Sequence, residues 1–172
     1  MPRQLIAFAF VVAAVVLAVD DGSAMLDRLQ DALDGAVGGG ERTARVERVV
    51  DGDTLKLAGG DRVRLIGVDT PETKKPGTPV QCYGKAASAF TERLVEGRRV
   101  TLTFDAERED RYGRVLAYVA RASDGLDVNA ELVRRGYART LTIAPNDAHA
   151  AEYAALQRTA RRHGRGLWAA CR

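Results

Sequence analysis

The chain has 172 residues, of which 46% are hydrophobic and 28% charged, so it can form one domain with a real core, and this composition argues against disorder. The formal net charge of +3 conceals an asymmetry, because residues 1–42 carry −3 and residues 43–172 therefore carry +6. The positive charge of residues 43–172 suits an anionic partner, usually nucleic acid, although many basic domains bind nothing anionic.

The first element is an uninterrupted apolar run at residues 5–19, preceded by Arg3. A basic start followed by a short apolar segment is typical of a secretory signal peptide. As a helix the run spans about 22 Å, less than the roughly 30 Å core of a bilayer, but an uncleaved anchor and a buried core helix both stay open. We interpret residues 1–19 as a signal peptide or membrane anchor. The protein is accordingly expected to be secreted or held on the outer face of the cell membrane.

Residues 20–42 combine a helical apolar spacing at Leu26, Leu29 and Leu33 with the glycines at 38–40. This pattern predicts an amphipathic tether and a Gly-rich linker without chemistry of its own. The remaining residues, 43–172, are predicted to form the functional domain.

The pattern within that domain predicts five strands, at residues 43–51, 52–57, 62–68, 99–105 and 115–120. An exposed loop is expected at 73–81, and a helix from Tyr83 to about Glu96, where Gly97 ends it. Asp127 caps a second helix at 128–135, and residues 145–147 start a third. One helix after the third strand and two after the fifth predict an α+β fold, a five-stranded OB-fold β-barrel with three α-helices.

The two cysteines, Cys82 and Cys171, are too few for a zinc site built on thiolates. In an exported protein an even count favours a disulfide between them, with two unlinked thiols as the alternative. The two histidines, His149 and His163, are interpreted as surface or packing residues.

One polar stretch lies where the predicted first and second strands meet, and another follows the third strand. Residues 50–54 read V-D-G-D-T, and Asp69 and Glu72 lie around Thr70-Pro71 after the strand. Alone, the first stretch is a tight turn, and the second could be a helix start with Thr70 as the N-cap. The proline and glycine at 76 and 77 leave no helix to cap, so a cap explains little.

A third polar stretch, residues 110–114, reads D-R-Y-G-R and alone would be a charged turn. Combined with the others it completes a chemical set. Asp53, Asp69 and Glu72 offer hard oxygen ligands, which suit Ca²⁺ or Mg²⁺ and not zinc. Arg64 and Arg114 can bind phosphate oxygens in a forked geometry. These are the parts that phosphodiester hydrolysis requires.

The motifs in this order resemble the staphylococcal nuclease (thermonuclease) family. The resemblance covers residues 43–168 through V-D-G-D-T, R-L-x-x-V-D-T-P-E, Y-G-x-x-A-S-A-F, D-R-Y-G-R, V-N-x-x-L-V-R-R-G and the closing G-L-W. It implies an OB-fold SNase-like domain with Ca²⁺-dependent nuclease activity, endonucleolytic or exonucleolytic. It further implies cleavage of DNA or RNA at the 5′ oxygen, with 3′-phosphate ends on the products.

The resemblance also implies a role for each matching residue. Arg64 and Arg114 would grip the phosphate, and Glu72 would hold the attacking water as general base or positioner. Arg111, where the family often has lysine, and Tyr112 would contact the nucleotide. The implied Ca²⁺ ligands are Asp53, Asp69 and the backbone carbonyl of Thr70, supported from behind by Asp51.

One segment departs from the family pattern. The well-known secreted member carries two tyrosines before Pro-Asn that flank the nucleotide, whereas this chain has Thr142, Ile143 and Ala144 and is one residue shorter. Weaker base stacking is therefore expected, because each aromatic platform contributes about 1–3 kcal/mol. That member also lacks both cysteines.

The sequence favours a nuclease, which we expect to act as a monomer. Two other functions are alternatives to it. Degenerate copies of this fold serve as non-catalytic modules that bind nucleic acid or protein. Such a module has no use for three carboxylates facing a polyanion, since these repel phosphate. The second alternative, a structural envelope protein, is suggested only by the apolar N-terminus.

Overall fold

The computed structural model describes residues 41–74, 77 and 79–171. The predictions for the signal or anchor and for most of the tether fall outside these residues. Within the described part of the chain, no helix is long and apolar enough to cross a membrane.

Seven strands and four helices make up the described domain. The strands are β1 (Glu41–Asp51), β2 (Thr54–Leu57), β3 (Arg62–Leu65), β4 (Gly67–Asp69), β5 (Arg99–Thr103), β6 (Val115–Arg121) and β7 (Arg139–Leu141). The helices are α1 (Gly84–Val95), α2 (Val128–Arg135), α3 (Ala150–Arg162) and α4 (Leu167–Ala170).

Five of the strands close into a barrel in the order β1-β2-β3-β6-β5, which confirms the predicted α+β OB-fold barrel. All neighbours are antiparallel except β3 and β6, which are parallel. Alternate side chains point inward, as a half-buried strand requires. Fully buried aliphatic residues fill the interior, among them Val46, Leu55, Leu57, Val63, Val100 and Leu102.

The first two helices form where the sequence predicts them. The helix α2 begins after Asp127, whose Oδ1 accepts a hydrogen bond from Ala130 N at 2.8 Å, and it ends at Gly136 with φ of 75°. The helix α1 begins at Gly84, where a Cβ would lie 2.9 Å from the Pro71 carbonyl oxygen and 3.0 Å from that of Glu72. The glycine thus lets α1 approach the backbone of the loop after β4.

The strand predicted over 62–68 divides in two. At Ile66 the backbone leaves β2, and its carbonyl accepts a hydrogen bond from Asn129 Nδ2 at 2.8 Å. Gly67 then takes φ of 78° against the ring of Tyr153, and β4 pairs with β7, a strand that the sequence did not predict. The division matters because it sends Asp69 away from the barrel wall.

The C-terminal part also differs from the expectation. The helix α3 begins at Ala150 instead of 145–147, because Asn146 is buried in a turn and exchanges two 2.8 Å hydrogen bonds with the backbone of Glu107. A fourth, one-turn helix, α4, precedes Cys171. The predicted Cys82–Cys171 disulfide is present and closes a loop of 89 residues.

Candidate active site

Three elements bring Arg64 and two carboxylates together. Asp53 immediately precedes β2, Arg64 lies opposite Thr54 in the β2–β3 register, and Asp69 ends β4. Arg64 Nη1 lies 2.9 Å from Asp53 Oδ2, and its Nη2 lies 3.2 Å from Asp69 Oδ1. A third bond, from Nη1 to the carbonyl of Val68 at 3.0 Å, fixes the guanidinium plane.

Thr70 holds Asp53 from the other side. Its backbone N donates to Asp53 Oδ2 at 2.8 Å, and its Oγ1 donates to the same oxygen at 2.9 Å. Asp53 is 7% exposed, so these bonds and Arg64 replace the water that burial removes. The result is a carboxylate with a fixed orientation beside a more exposed one, Asp69.

The donor set of this cluster consists of oxygen atoms. The described residues hold no group of three or more His, Cys, Asp or Glu side chains arranged to bind a metal ion. Two carboxylates, Asp53 and Asp69, together with the carbonyl of Thr70 suit a hard cation such as Ca²⁺ or Mg²⁺. Burial raises the pKa of Asp69, and the charge of Asp53 adds to this effect while Arg64 and Arg139 oppose it. A cation at this position would reverse that penalty.

Glu72 lies in a tight turn next to Asp51. Its Oε1 accepts hydrogen bonds from the backbone N–H groups of Thr73 and Lys74, both at 2.9 Å. Asp51 Oδ1 in turn accepts from Thr73 Oγ1 at 2.8 Å and from Ser88 Oγ at 3.0 Å. Asp51 therefore joins the end of β1, the Glu72 turn and helix α1.

The environment of Asp51 favours its ionised form. Burial alone raises the pKa of this carboxyl, but hydrogen bonds, including those donated by Thr73, Gly52 and Ser88, outweigh burial and lower the pKa. An ionised Asp51 keeps its donors in place and so fixes the turn that carries Glu72.

The D-R-Y-G-R stretch forms the turn before β6. Arg114 binds Asp110 through Nε at 2.7 Å and through Nη2 at 2.6 Å. Burial raises the pKa of Asp110, but the side-chain and backbone bonds from Arg114 and the backbone bond from Tyr112 lower it overall. Tyr112 is 67% exposed, and the guanidinium groups of Arg111 and Arg114 lie over its ring at 4.8 and 5.4 Å.

Arg64 and Arg114 line the same pocket, which has a volume of about 240 Å³. Its rim includes Leu141 and Ile143, which are 40% and 64% exposed. The two predicted phosphate-binding residues therefore face one cavity, and the aliphatic residues of the divergent segment lie at its edge.

Sequence reasoning missed several contributors to this site. Gln81 exchanges two bonds with Glu72, since its Oε1 accepts from Glu72 N and its N donates to the Glu72 carbonyl, both at 2.9 Å. The motif D-R-Y-G-R includes Asp110 and the motif Y-G-x-x-A-S-A-F includes Ser88, but neither motif predicts a role for that residue. Nothing in a loop sequence predicts the Gln81 contact, whereas the i to i+4 spacing of Asp110 and Arg114 does suggest an ion pair.

The histidines lie outside this cluster. His149 stacks against Tyr153 with ring centroids 5.6 Å apart and meets Tyr118 edge-on at 4.5 Å. His163 is exposed after α3. Both positions agree with surface or packing roles.

Comparison with known proteins gives consistent matches. The family model for "Staphylococcal nuclease homologue" matches residues 62–170. The thermonuclease of Staphylococcus intermedius is 46% identical over 126 residues, 72% of this chain and 74% of that protein. The thermonuclease of Staphylococcus hyicus is 42% identical over 131 residues, 74% of this chain and 76% of that one. Endonuclease YncB of Bacillus subtilis (strain 168) is 38% identical over 128 residues, 72% of this chain and 60% of that protein.

Proposed function

The chain belongs to the staphylococcal nuclease family, and from that premise we propose that this nuclease is a Ca²⁺-dependent phosphodiesterase that cleaves DNA or RNA and leaves 3′-phosphate ends. One observation carries the proposal. Two guanidinium groups, those of Arg64 and Arg114, line one pocket, and Arg64 also joins the oxygen ligands Asp53 and Asp69.

The two arginines are proposed to bind the phosphate and to stabilise the charge that builds up as the new bond forms. Both are preorganised, because Arg64 is fixed by two carboxylates and a carbonyl, and Arg114 is fixed by Asp110. Donors held in place before the reaction need no reorganisation during it, and losing one typically costs about 10²–10³ in rate.

Glu72 is proposed to orient the attacking water and accept its proton. The two backbone N–H groups on its Oε1 keep the carboxylate in one orientation. Asp53, Asp69 and Thr70 would hold the cation, which when bound polarises a phosphoryl oxygen and helps position water and substrate.

A non-catalytic binding module accounts less well for the same residues. Three acids near a phosphate pocket repel a polyanion unless a cation neutralises them, so binding alone gives no reason for their presence. Their fixed positions favour hydrolysis.

The test is cleavage of a 5′-labelled single-stranded DNA by the full chain with Ca²⁺, after addition of a chelator, and after Ca²⁺ is restored. We expect cleavage only when Ca²⁺ is available. Phosphatase treatment should change the electrophoretic mobility of the products, because it removes the 3′-phosphate. Glu72→Gln should lower kcat by at least about 10², the usual contribution of a general base.

A matched variant separates chemistry from charge. Glu47→Gln removes an exposed carboxylate that pairs with Lys56 on the outside of the barrel, and it should cleave like the wild type. Cleavage that persists in chelator would contradict the Ca²⁺ requirement. A fully active Glu72→Gln would remove only the role assigned to Glu72.

A further inference from the structure

A second cluster of cations lies beside the candidate active site, around the sole tryptophan of the chain. The guanidinium groups of Arg139 and Arg161 lie over the ring of Trp168, 5.1 and 4.9 Å from its centroid. We call these three residues the arginine–tryptophan patch. Both arginines are exposed, and Trp168 is partly so.

The charge of Asp69 acts on Arg139, but the acids of the described residues form no salt bridge with the patch. Residues 153–172 contain five arginines and no Asp or Glu. Within the described residues, neither Arg139 nor Arg161 forms a salt bridge, whereas Arg64, Arg114 and Arg121 all do. Two like charges on one aromatic ring repel each other, so their placement favours an anionic ligand.

The patch is continuous with the candidate active site. Arg139 pairs with Asp69 in the β4–β7 register. A second cavity of about 360 Å³ is lined by both of these residues, by Gln81 and by Leu167, the neighbour of Trp168. A strand whose phosphate lies near Asp69 can therefore reach the patch along this cavity.

We propose that the arginine–tryptophan patch binds the phosphodiester backbone of the nucleic-acid strand beyond the bond that is cleaved. Guanidinium groups bind phosphate oxygens in a forked geometry. Because every nucleotide carries the same phosphate, such contacts do not depend on the base sequence. This inference rests on the proposed function for its choice of ligand, but it concerns binding and not chemistry.

The single tryptophan provides the readout, because every change in intrinsic tryptophan fluorescence of the full chain comes from Trp168. The chain is titrated in chelator, so that binding is measured without cleavage, with an oligothymidylate of about twelve nucleotides at several salt concentrations. We expect a saturable fluorescence change. Arg139→Gln and Arg161→Gln should each weaken binding about threefold or more and reduce the slope of log K against log salt by about 0.7.

Arg93→Gln is the matched control. Arg93 is an exposed helical arginine over an aromatic ring, Phe90, at 5.6 Å, and its substitution changes the net charge equally on α1. It should bind like the wild type. Equal weakening in all three variants, or wild-type affinity in Arg139→Gln and Arg161→Gln, would overturn the proposal.

A cleavage assay with Ca²⁺ separates this inference from the proposed function. Arg161→Gln should raise KM for the oligonucleotide and leave kcat unchanged, whereas Arg139→Gln should raise KM and is judged by its affinity in chelator, because Arg139 lies opposite the proposed ligand Asp69. If the wild type cleaves nothing but binds through the patch, the proposed function fails and the inference stands. If it cleaves and both variants keep the wild-type KM and affinity, the inference alone fails.

Discussion

Gly52 lies between Asp51 and Asp53, where the structure leaves no room for a side chain. A Cβ at this position would lie 2.7 Å from Thr70 Oγ1 and 2.9 Å from Thr70 Cβ. Thr70 is the residue that holds Asp53 through two hydrogen bonds. The D-G-D spacing thus serves close packing at the site as well as a turn.

Gly52→Ala is accordingly expected to push Thr70 away from Asp53. Overpacking at a buried position should lower the free energy of unfolding by about 1–3 kcal/mol, as measured by urea titration. Because the Asp53 carboxylate loses its orientation, the Ca²⁺ concentration needed for half-maximal cleavage should also rise.

Gly59→Ala provides the comparison for that substitution. The nearest atom to a Cβ at Gly59 is 4.0 Å away, at the end of the Arg42 side chain, so both quantities should stay at their wild-type values. Equal Ca²⁺ requirements in Gly52→Ala and the wild type would show that the contact with Thr70 does not position the ligand.

At the level of elements, the disulfide connects the start of α1 to the end of α4. Cys82 follows Gln81, which forms two hydrogen bonds with the backbone of Glu72, one through its side chain and one through its own N–H, so the bridge fixes the loop that carries the proposed base. The link therefore contributes to the site as well as to stability.

The double variant Cys82→Ser, Cys171→Ser should be less stable than the wild type by up to about 4–5 kcal/mol, the chain-entropy estimate for a loop of this size. Where both proteins are folded, kcat should fall and KM should change little, because Glu72 is less well held. Treatment with a dithiol should reproduce both effects in the wild type and have no effect on the double variant. A loss of activity with dithiol in the variant would assign the effect to another cause.

The sequence predicts those elements whose signals are local. The helix α2 has its cap and its terminating glycine within ten residues, at Asp127 and Gly136, and the apolar spacing of α1 is regular. The strand pair β4–β7 escapes prediction because it depends on distant contacts of Ile66 and Gly67 with Asn129 and Tyr153.

The candidate site divides in the same way. Motifs identify Asp53, Arg64 and Asp69, because each residue type has a chemical purpose. Sequence alone does not predict that Arg64 joins both carboxylates, since that geometry requires β3 to end and β4 to turn away at Gly67. The residue types of the site can thus be predicted from the chemistry they perform, whereas the pairing of their side chains depends on the tertiary structure.

For the molecule as a whole, acidic groups whose pKa is lowered in the folded state make the free energy of unfolding depend on pH. The clearest case away from the candidate site is Glu131, which is 7% exposed and pairs with Arg134 and Arg135 on α2. Burial alone raises the pKa of Glu131, but the hydrogen bonds from Arg135 and Arg134 outweigh it, so the pKa is lowered from 4.5. The helix α2 packs Leu132 and Val133 into the core, so this carboxylate affects the stability of the whole domain.

The sign of the pH effect follows from linkage. Because the pKa of Glu131 is lower in the folded protein, the unfolded chain takes up a proton first as the pH falls. The stabilisation is complete above the unfolded pKa and is lost as the pH falls through the folded value.

Glu131→Gln should therefore be less stable than the wild type near neutral pH, and the difference should shrink between about pH 5 and pH 3. Urea unfolding across that range measures it, with the exposed Glu92→Gln on α1 as the charge-matched control. A constant difference between Glu131→Gln and the wild type at all pH values would mean that the loss comes from packing and not from the ionised carboxylate.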